Sequence, residues 1–312
     1  MSLRNEYTMK PQQPSAPERL KPRKDLGQNF LKDRNIAHNI VKALELHERE
    51  TVIEIGPGEG ALTSLLMETN VRNVIAIEYD ARAVELLQTR FHAAITAGRL
   101  RIIHSDVLKL TFDKIFAENS ATPDEISIVG NIPYYITSDI LFWIFDEWAK
   151  HSAEIVSKAS QQHAWKKITL RKAVIMMQKE VAERITAKPR TKEYGILSVA
   201  SLLVSEPKIL FHVPPQCFFP PPKVTSSVVE FRMKAGAEAS AQFRAVHPLV
   251  RVAFNQRRKV LSNALSGVLP KERLPELLAA AEMRKISYFR SRAEELTPHD
   301  FMRLHELIAE FR

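Results

Sequence analysis

Four short segments of this chain combine residue types that chemistry needs at fixed spacing. The first is Glu54-Ile55-Gly56-Pro57-Gly58-Glu59-Gly60, where three of the chain's nine glycines fall within five positions. Glycines that close together let the backbone approach a ligand where a Cβ would stand in the way. The second is Glu78, 24 positions beyond Glu54 and followed by Tyr79. That spacing suits a carboxylate accepting from ribose hydroxyls. The third, Ser105-Asp106, offers a carboxylate to an adenine amino group. The fourth is Asn131-Ile132-Pro133-Tyr134.

A phosphate-bearing nucleotide fits the glycine loop poorly. Pyrophosphate is held by free N–H groups at a helix N-terminus, but Pro57 deletes one donor and Glu54 and Glu59 add negative charge. No G-x-x-x-x-G-K-[ST] segment occurs either. A ligand with no phosphate, one ammonium and one sulfonium suits the loop better, and S-adenosylmethionine is such a ligand. The fourth segment supplies matching acceptor chemistry. An exocyclic adenine nitrogen is a weak nucleophile because its lone pair is delocalised into the ring. The Asn131 side-chain oxygen and the Ile132 carbonyl can hold its two hydrogens and favour a pyramidal nitrogen. Pro133 stiffens the turn, and Tyr134 offers a flat face to a base. Positioning and electrostatics then supply most of the rate, because no covalent enzyme intermediate is needed.

The surrounding pattern says which elements hold these segments. Thr51–Ile55, Val74–Glu78, Leu100–His104, Ile126–Val129 and Ala173–Met177 read as strands. Ala61–Glu68, Ala81–Ala97 and Ser138–Trp148 between them have helical spacing. Such alternation predicts an α/β fold, a parallel sheet with helices on both faces. Each chemical segment then falls at the carboxyl end of a strand, where open α/β sheets bind ligands. Lys208–Val213 and Val224–Arg232 flank a Pro-rich loop and read as a hairpin added to the sheet edge. Met233–Ala241 reads as a linker, and from Gln242 onward the chain reads as short helices with prolines near their starts. Residues 1–23, with Pro11, Pro14, Pro17 and Pro22, read as a disordered tail. Residues 151–171 read as a polar surface excursion.

The bulk numbers set limits. The 312 residues are 45% hydrophobic and 26% charged, enough for a real core. No apolar run nears the roughly 18 residues that span a bilayer, so no membrane partner is expected. A lone cysteine, Cys217, closes no internal disulfide and suggests a reducing, cytoplasmic setting. No clustered His and Cys ligands occur, so no metal is expected. Net charge is +9, with +4 in residues 1–34, +5 in residues 241–312 and none between. Basic ends around a neutral centre suit a polyphosphate partner.

Taken in order, these segments resemble the rRNA adenine N6-dimethyltransferase family, closest to its bacterial KsgA-type branch. The resemblance covers residues 24 to 310. Leu26-Gly27-Gln28-Asn29-Phe30-Leu31 is similar to the family's opening motif, which implies that Gln28, Asn29 and Leu31 border the methyl donor. Glu54–Gly60, with Gly56, Gly58 and Gly60, resembles the donor loop; Glu78 with Tyr79, and Ser105-Asp106, resemble the ribose and adenine contacts. Asn131–Tyr134 resembles the N-[LI]-P-Y motif, which implies that Asn131 orients the target nitrogen beside the donor and that Tyr134 stacks. Phe218-Phe219-Pro220-Pro221-Pro222-Lys223-Val224-Thr225-Ser226 resembles the F-x-P-P-P-K-V-x-S segment, which implies that Phe218 covers the other face of a flipped base. Ala253–Lys259 resembles a segment of the family's helical domain, so Lys223, Arg257, Arg258 and Lys259 are expected on RNA phosphate.

The implied fold is a Rossmann-like class I methyltransferase with a mostly parallel seven-stranded sheet and a small all-α C-terminal domain. The implied division is a tail (1–23), a catalytic domain (24–235) and an RNA-binding helical domain (236–312). The implied activity is S-adenosylmethionine-dependent N6-dimethylation of two adjacent adenosines in small-subunit (16S) rRNA, by a monomer acting on the immature subunit. Two other readings stand beside it: large-subunit adenine methylation of the erythromycin-resistance type, and a non-catalytic nucleic-acid-binding factor. Two positions depart from the family pattern: Tyr135 stands where Asn is commoner in the bacterial enzymes, and Asn255 where Gly is usual.

Overall fold

The computed structural model describes residues 19–23, 25–117, 125–153, 168–266, 271–284 and 286–311. Seven strands form one sheet: β1 (Thr51–Ile55), β2 (Asn73–Glu78), β3 (Leu100–His104), β4 (Glu125–Asn131), β5 (Thr169–Gln178), β6 (Ser205–Val213) and β7 (Ser226–Met233). Their spatial order is 3-2-1-4-5-7-6. Strands β1 to β5 run parallel, and β7 lies antiparallel between β5 and β6. The expected edge hairpin is β6–β7, with its second strand paired to β5. A two-residue pairing of Phe30–Leu31 with Phe218–Phe219 lies outside this sheet.

Side chains one apart along a strand point to opposite faces, and the apolar residues divide accordingly. Ile53, Ile128 and Ile175 enter one buried cluster, while Val52, Val129 and Val174 enter a second. Both faces are therefore covered, as a parallel sheet requires. Helices α1 (Arg34–Ala43) and α2 (Ala61–Met67) contribute to the second cluster, and α5 (Phe112–Phe116) and α6 (Thr137–Ala153) to the first. Asp33 caps α1 by accepting from the N–H groups of Asn35 at 2.9 Å and Ile36 at 3.1 Å.

The expected helix Ala81–Ala97 is two: α3 (Ala81–Arg90) and α4 (His92–Thr96). They meet at Phe91, whose ring lies where a Cβ on Gly60 would stand, 2.8 Å from Cε2. Packing the ring on the glycine loop replaces helical continuity there. Helix α6 runs past Trp148 to Ala153 and β5 begins at Thr169, which shortens the expected excursion; residues 154–167 lie outside the described residues. Of the expected tail, residues 1–18 also lie outside them. Residues 19–23 are anchored: the Leu20 N–H donates to Glu59 Oε1 at 2.9 Å, and Arg82 Nη1 donates to the Lys21 carbonyl at 3.1 Å.

Beyond α7 (Lys179–Ile185) and α8 (Ile196–Val204), the C-terminal part holds α9 (Ala237–Asn255), α10 (Leu261–Ala264), α11 (Leu274–Met283) and α12 (Pro298–Ala309). Helix α9 overturns the expectation of a linker to residue 241 followed by short helices. It is 19 residues long, with Pro248 inside it. An interior proline costs a helix about 3 kcal/mol, but Phe243, Val246, Leu249, Val250 and Ala253 are buried along α9. They belong to the same apolar cluster as Phe145, Trp148 and Val199 of α6 and α8. One core thus runs from the sheet into the C-terminal helices.

Phe243 is 1% exposed and meets the rings of Phe145, Trp148 and His247 at centroid distances of 6.4, 6.4 and 5.0 Å. Phe243→Ala is expected to cost about 3–5 kcal/mol. Because the core is shared, urea denaturation should show one transition at lower midpoint, followed alike by far-ultraviolet circular dichroism and tryptophan fluorescence.

Candidate active site

The carboxyl ends of β1, β2, β3 and β4 open into a cavity of about 350 Å³. The sheet order reverses between β1 and β4, and the crevice lies there. Of the residues expected to hold the donor and the target base, all but Gly60 and Phe218 line it: Gln28, Asn29, Leu31, Glu54, Gly56, Gly58, Glu78, Tyr79, Ser105, Asp106 and Asn131 to Tyr134. Gly60 stands just outside as the cap of α2, with φ at 80°.

Gly58 shows why the loop needs glycine. Its φ is +55°, and a Cβ there would lie 3.0 Å from the Phe30 ring. Its N–H donates to Glu78 Oε2 at 3.0 Å, while the N–H groups of Tyr79 and Asp80 donate to Oε1 at 2.8 Å each. Burial still pushes the Glu78 carboxyl above its ordinary range, against those three donors. Glu54 is 1% exposed and accepts from Thr63 Oγ1 at 2.6 Å. Burial, with the Glu78 charge adding to it, raises the Glu54 carboxyl to about 7.

The opening segment closes the cavity from the other side. Gln28 Nε2 donates to Asp80 Oδ2 at 2.9 Å, and its Oε1 accepts from the Arg23 N–H at 2.9 Å. Arg82 beside Asp80 holds that carboxyl down, to about 2. Asn131 Nδ2 donates to the Asn29 carbonyl at 2.9 Å. With Nδ2 so engaged, Oδ1 is the atom of Asn131 left to accept from a ligand, as a target amino group requires. The Tyr134 hydroxyl is hydrogen-bonded to Ser226 Oγ at the start of β7. That bond fixes the plane of a half-buried ring, whose burial keeps the phenol neutral.

Among the described residues the lining includes the carboxylates of Glu54, Glu59, Glu78 and Asp106 and neither lysine nor arginine. Such a donor set repels phosphate and attracts a cation, so it fits S-adenosylmethionine. Among the described residues no group of His, Cys, Asp or Glu could hold a metal ion, and no helix is long and apolar enough to cross a membrane.

Five further expected residues lie outside the cavity. Phe218 is 1% exposed, pairs with Leu31 and joins the second core cluster, away from the cavity. Its neighbour Phe219 is the exposed ring, because alternation along the short strand turns the two to opposite sides. Arg257 lies in the turn after α9 and is engaged: Nε meets Glu294 Oε2 at 2.6 Å, and Nη2 donates to the Lys192 carbonyl at 2.7 Å. Arg258, Lys259 and Lys223 are exposed and lie outside the cavity.

Residues not anticipated at the site are Phe30, Asp80, Ser226 and Gly130. A Cβ at Gly130 would stand 2.7 Å from the Ile55 carbonyl, so this glycine lets β4 press against β1 beneath the crevice. Their signals were present only as neighbours of motifs, since each acts through a contact distant in sequence.

A model of the family described as Ribosomal RNA adenine dimethylase matches residues 19–310. The chain belongs to this family. It is 37% identical over 290 residues to Ribosomal RNA small subunit methyltransferase A of Desulfitobacterium hafniense, covering 92% of both chains. It is 38% identical over 291 residues to the protein of the same name from Salinibacter ruber, covering 91% of this chain and 84% of that one. Among solved structures, a dimethyladenosine transferase from Plasmodium falciparum aligns with a TM-score of 0.68 and 25% identity, over 90% of this chain and 97% of that one. The 23S rRNA methyltransferase ErmE shares the fold, with a TM-score of 0.59 and 24% identity, over 90% of this chain and all of that one. As a member of the dimethylase family, the chain is an α/β methyltransferase that uses S-adenosylmethionine.

Two predictions follow from these contacts. Between pH 4.5 and 7, folded Glu54 keeps a proton that the unfolded chain has lost, so its contribution to stability falls as pH rises through that window. The denaturation midpoint of the ligand-free protein, taken as wild type minus Glu54→Gln, should therefore decline from pH 4.5 to 7 and level off above it. Separately, Tyr134→Phe keeps the ring and loses only the Ser226 bond, whereas Tyr134→Ala removes the ring itself, and a base stacked on an aromatic ring is worth about 1–3 kcal/mol. Methyl-transfer assays should find the first variant mildly slowed and the second slowed about 5- to 150-fold.

Proposed function

We propose that this protein transfers methyl groups from S-adenosylmethionine to N6 of two adjacent adenosines in small-subunit (16S) rRNA, two to each. The immature small subunit is the substrate, the cytoplasm the setting and a monomer the acting form. The observation that carries the reading is the Asn131 amide, tied through Nδ2 to the Asn29 carbonyl at the cavity rim. It presents an oxygen beside the Ile132 and Pro133 turn, next to a cavity whose carboxylates suit a cationic donor. The small-subunit substrate rests on relatives named Ribosomal RNA small subunit methyltransferase A at 33–38% identity.

S-adenosylmethionine supplies an electrophilic methyl group on a sulfonium. The chain's own part is to hold and orient. Glu78 accepts from ribose hydroxyls, Asp106 from the adenine amino group, and Gln28 and Asn29 cover the donor. Asn131 Oδ1 and the Ile132 carbonyl accept from the target amino group, drawing its lone pair out of conjugation toward the methyl carbon. The N6–C bond forms as the C–S bond breaks, the sulfur keeps the electron pair, and a proton leaves N6. Tyr134 stacks on the base. Lys223, Arg258 and Lys259, all exposed, take the phosphate contacts in this reading. Arg257 instead braces the turn against residues 191–192 and Glu294. The residue divisions 24–235 for catalysis and 236–312 for RNA docking belong to this proposal.

The test is transfer of labelled methyl groups to small subunits lacking the modification, followed by digestion to nucleosides. Wild-type protein should yield N6,N6-dimethyladenosine, and Asn131→Ala should lower kcat by about a hundredfold or more. Label appearing on large subunits alone would overturn the assignment of substrate.

A further inference from the structure

We propose that Tyr135 is a second base-stacking position, which takes the nucleotide adjacent to the one held at Asn131 and Tyr134. The inference rests on the RNA reading above and extends it to a neighbouring base. Tyr134 and Tyr135 open a 3-10 turn, Tyr134–Ile136. With three residues per turn, consecutive side chains point about 120° apart. The Tyr134 ring is accordingly turned toward β7, its hydroxyl on Ser226. The Tyr135 ring is turned the other way and is 62% exposed, although it too lines the cavity.

This ring is exposed yet held. Gly27, with φ at +58°, passes so close that a Cβ there would lie 3.1 Å from Tyr135 Cδ1 and 3.4 Å from Cε1. One side of the ring therefore rests on backbone. A tyrosine fixed in this way offers a flat face with little further loss of side-chain freedom, which is what a stacking platform needs.

The other exposed apolar groups of the lining are accounted for. Tyr79 and Leu108 stand beside Glu78 and Asp106, at the end assigned to the donor's adenosine. Tyr135 directly follows the turn that handles the target base, one residue further along the chain. A base extruded into the site leaves its neighbour unstacked on the side it vacated. An aromatic face at the rim restores that stacking without reading which base is present.

Methyl transfer to small subunits lacking the modification, measured with Tyr135→Phe, Tyr135→Trp, Tyr135→Leu and Tyr135→Ala, tests the proposal. Calorimetry of S-adenosylmethionine binding accompanies each variant. The two aromatic variants should match wild type. The leucine and alanine variants should raise KM for the subunits about 5- to 150-fold, the range of one lost stack, with donor affinity unchanged. Leucine performing as well as phenylalanine would overturn stacking in favour of simple apolar cover. Donor affinity falling in step with activity would make Tyr135 a cover for the donor, and an unaltered alanine variant would remove any role. Failure of the wild type itself to methylate small subunits while binding the donor would instead overturn the reading of substrate.

Discussion

Everything at this site depends on a gap that the chain's topology creates. Crossover connections leave β1 toward one side of the sheet and β4 toward the other, so among the described residues a crevice opens above their ends. Strands β1 and β4 lie in direct register there, Ile55 opposite Gly130. Only a residue without a Cβ lets Gly130 come so near the Ile55 carbonyl. Beside this seam the glycine loop arrives from β1 and the Asn131 turn from β4. The glycine loop and the Asn131 turn meet because two adjacent strands end there.

An acidic cavity without a cation is costly, and its surroundings show how the cost is contained. Glu78 is held by three backbone N–H groups, and Glu54 by Thr63 and by its readiness to keep a proton. Asp80, paired with Arg82, stays charged and draws Gln28 across the opening. The opening segment is thus bound from both sides, by Asp80 through Gln28 and by Asn131 through the Asn29 carbonyl. A change in ligand charge inside the cavity acts on Glu78, whose carboxylate accepts from the Asp80 N–H and so adjoins the group that holds the cover.

Local patterns carried much of this. Short β-rich runs between helical stretches gave away β1 to β5, and their sorting into two clusters follows from the two-residue period of a strand. Gly56-Pro57-Gly58-Glu59-Gly60, Glu78, Ser105-Asp106 and Asn131–Tyr134 could be placed because each sits at a strand end and acts near its own backbone. What escaped was decided by distant partners. The break at Phe91 depends on Gly60, and the continuity of α9 through Pro248 depends on α6 and α8. Phe218 and Phe219 differ in exposure because of a short pairing with Phe30 and Leu31. Arg257 reads as a free cation until Glu294 and the Lys192 carbonyl are seen beside it.

The uninterrupted core under α9 bears on how this fold can change. Tyr194, fully buried, donates its hydroxyl to the Leu296 carbonyl at 2.8 Å, and its ring meets Phe254. Phe142 and Phe243, from the two halves, sandwich His247 with centroid distances of 5.0 Å each. Such a seam cannot be cut as a cassette. Exchange of the C-terminal helices between relatives, by recombination or by design, succeeds only where the faces of α6 and α8 travel with them. The C-terminal helices are therefore inherited together with part of the sheet-bearing half.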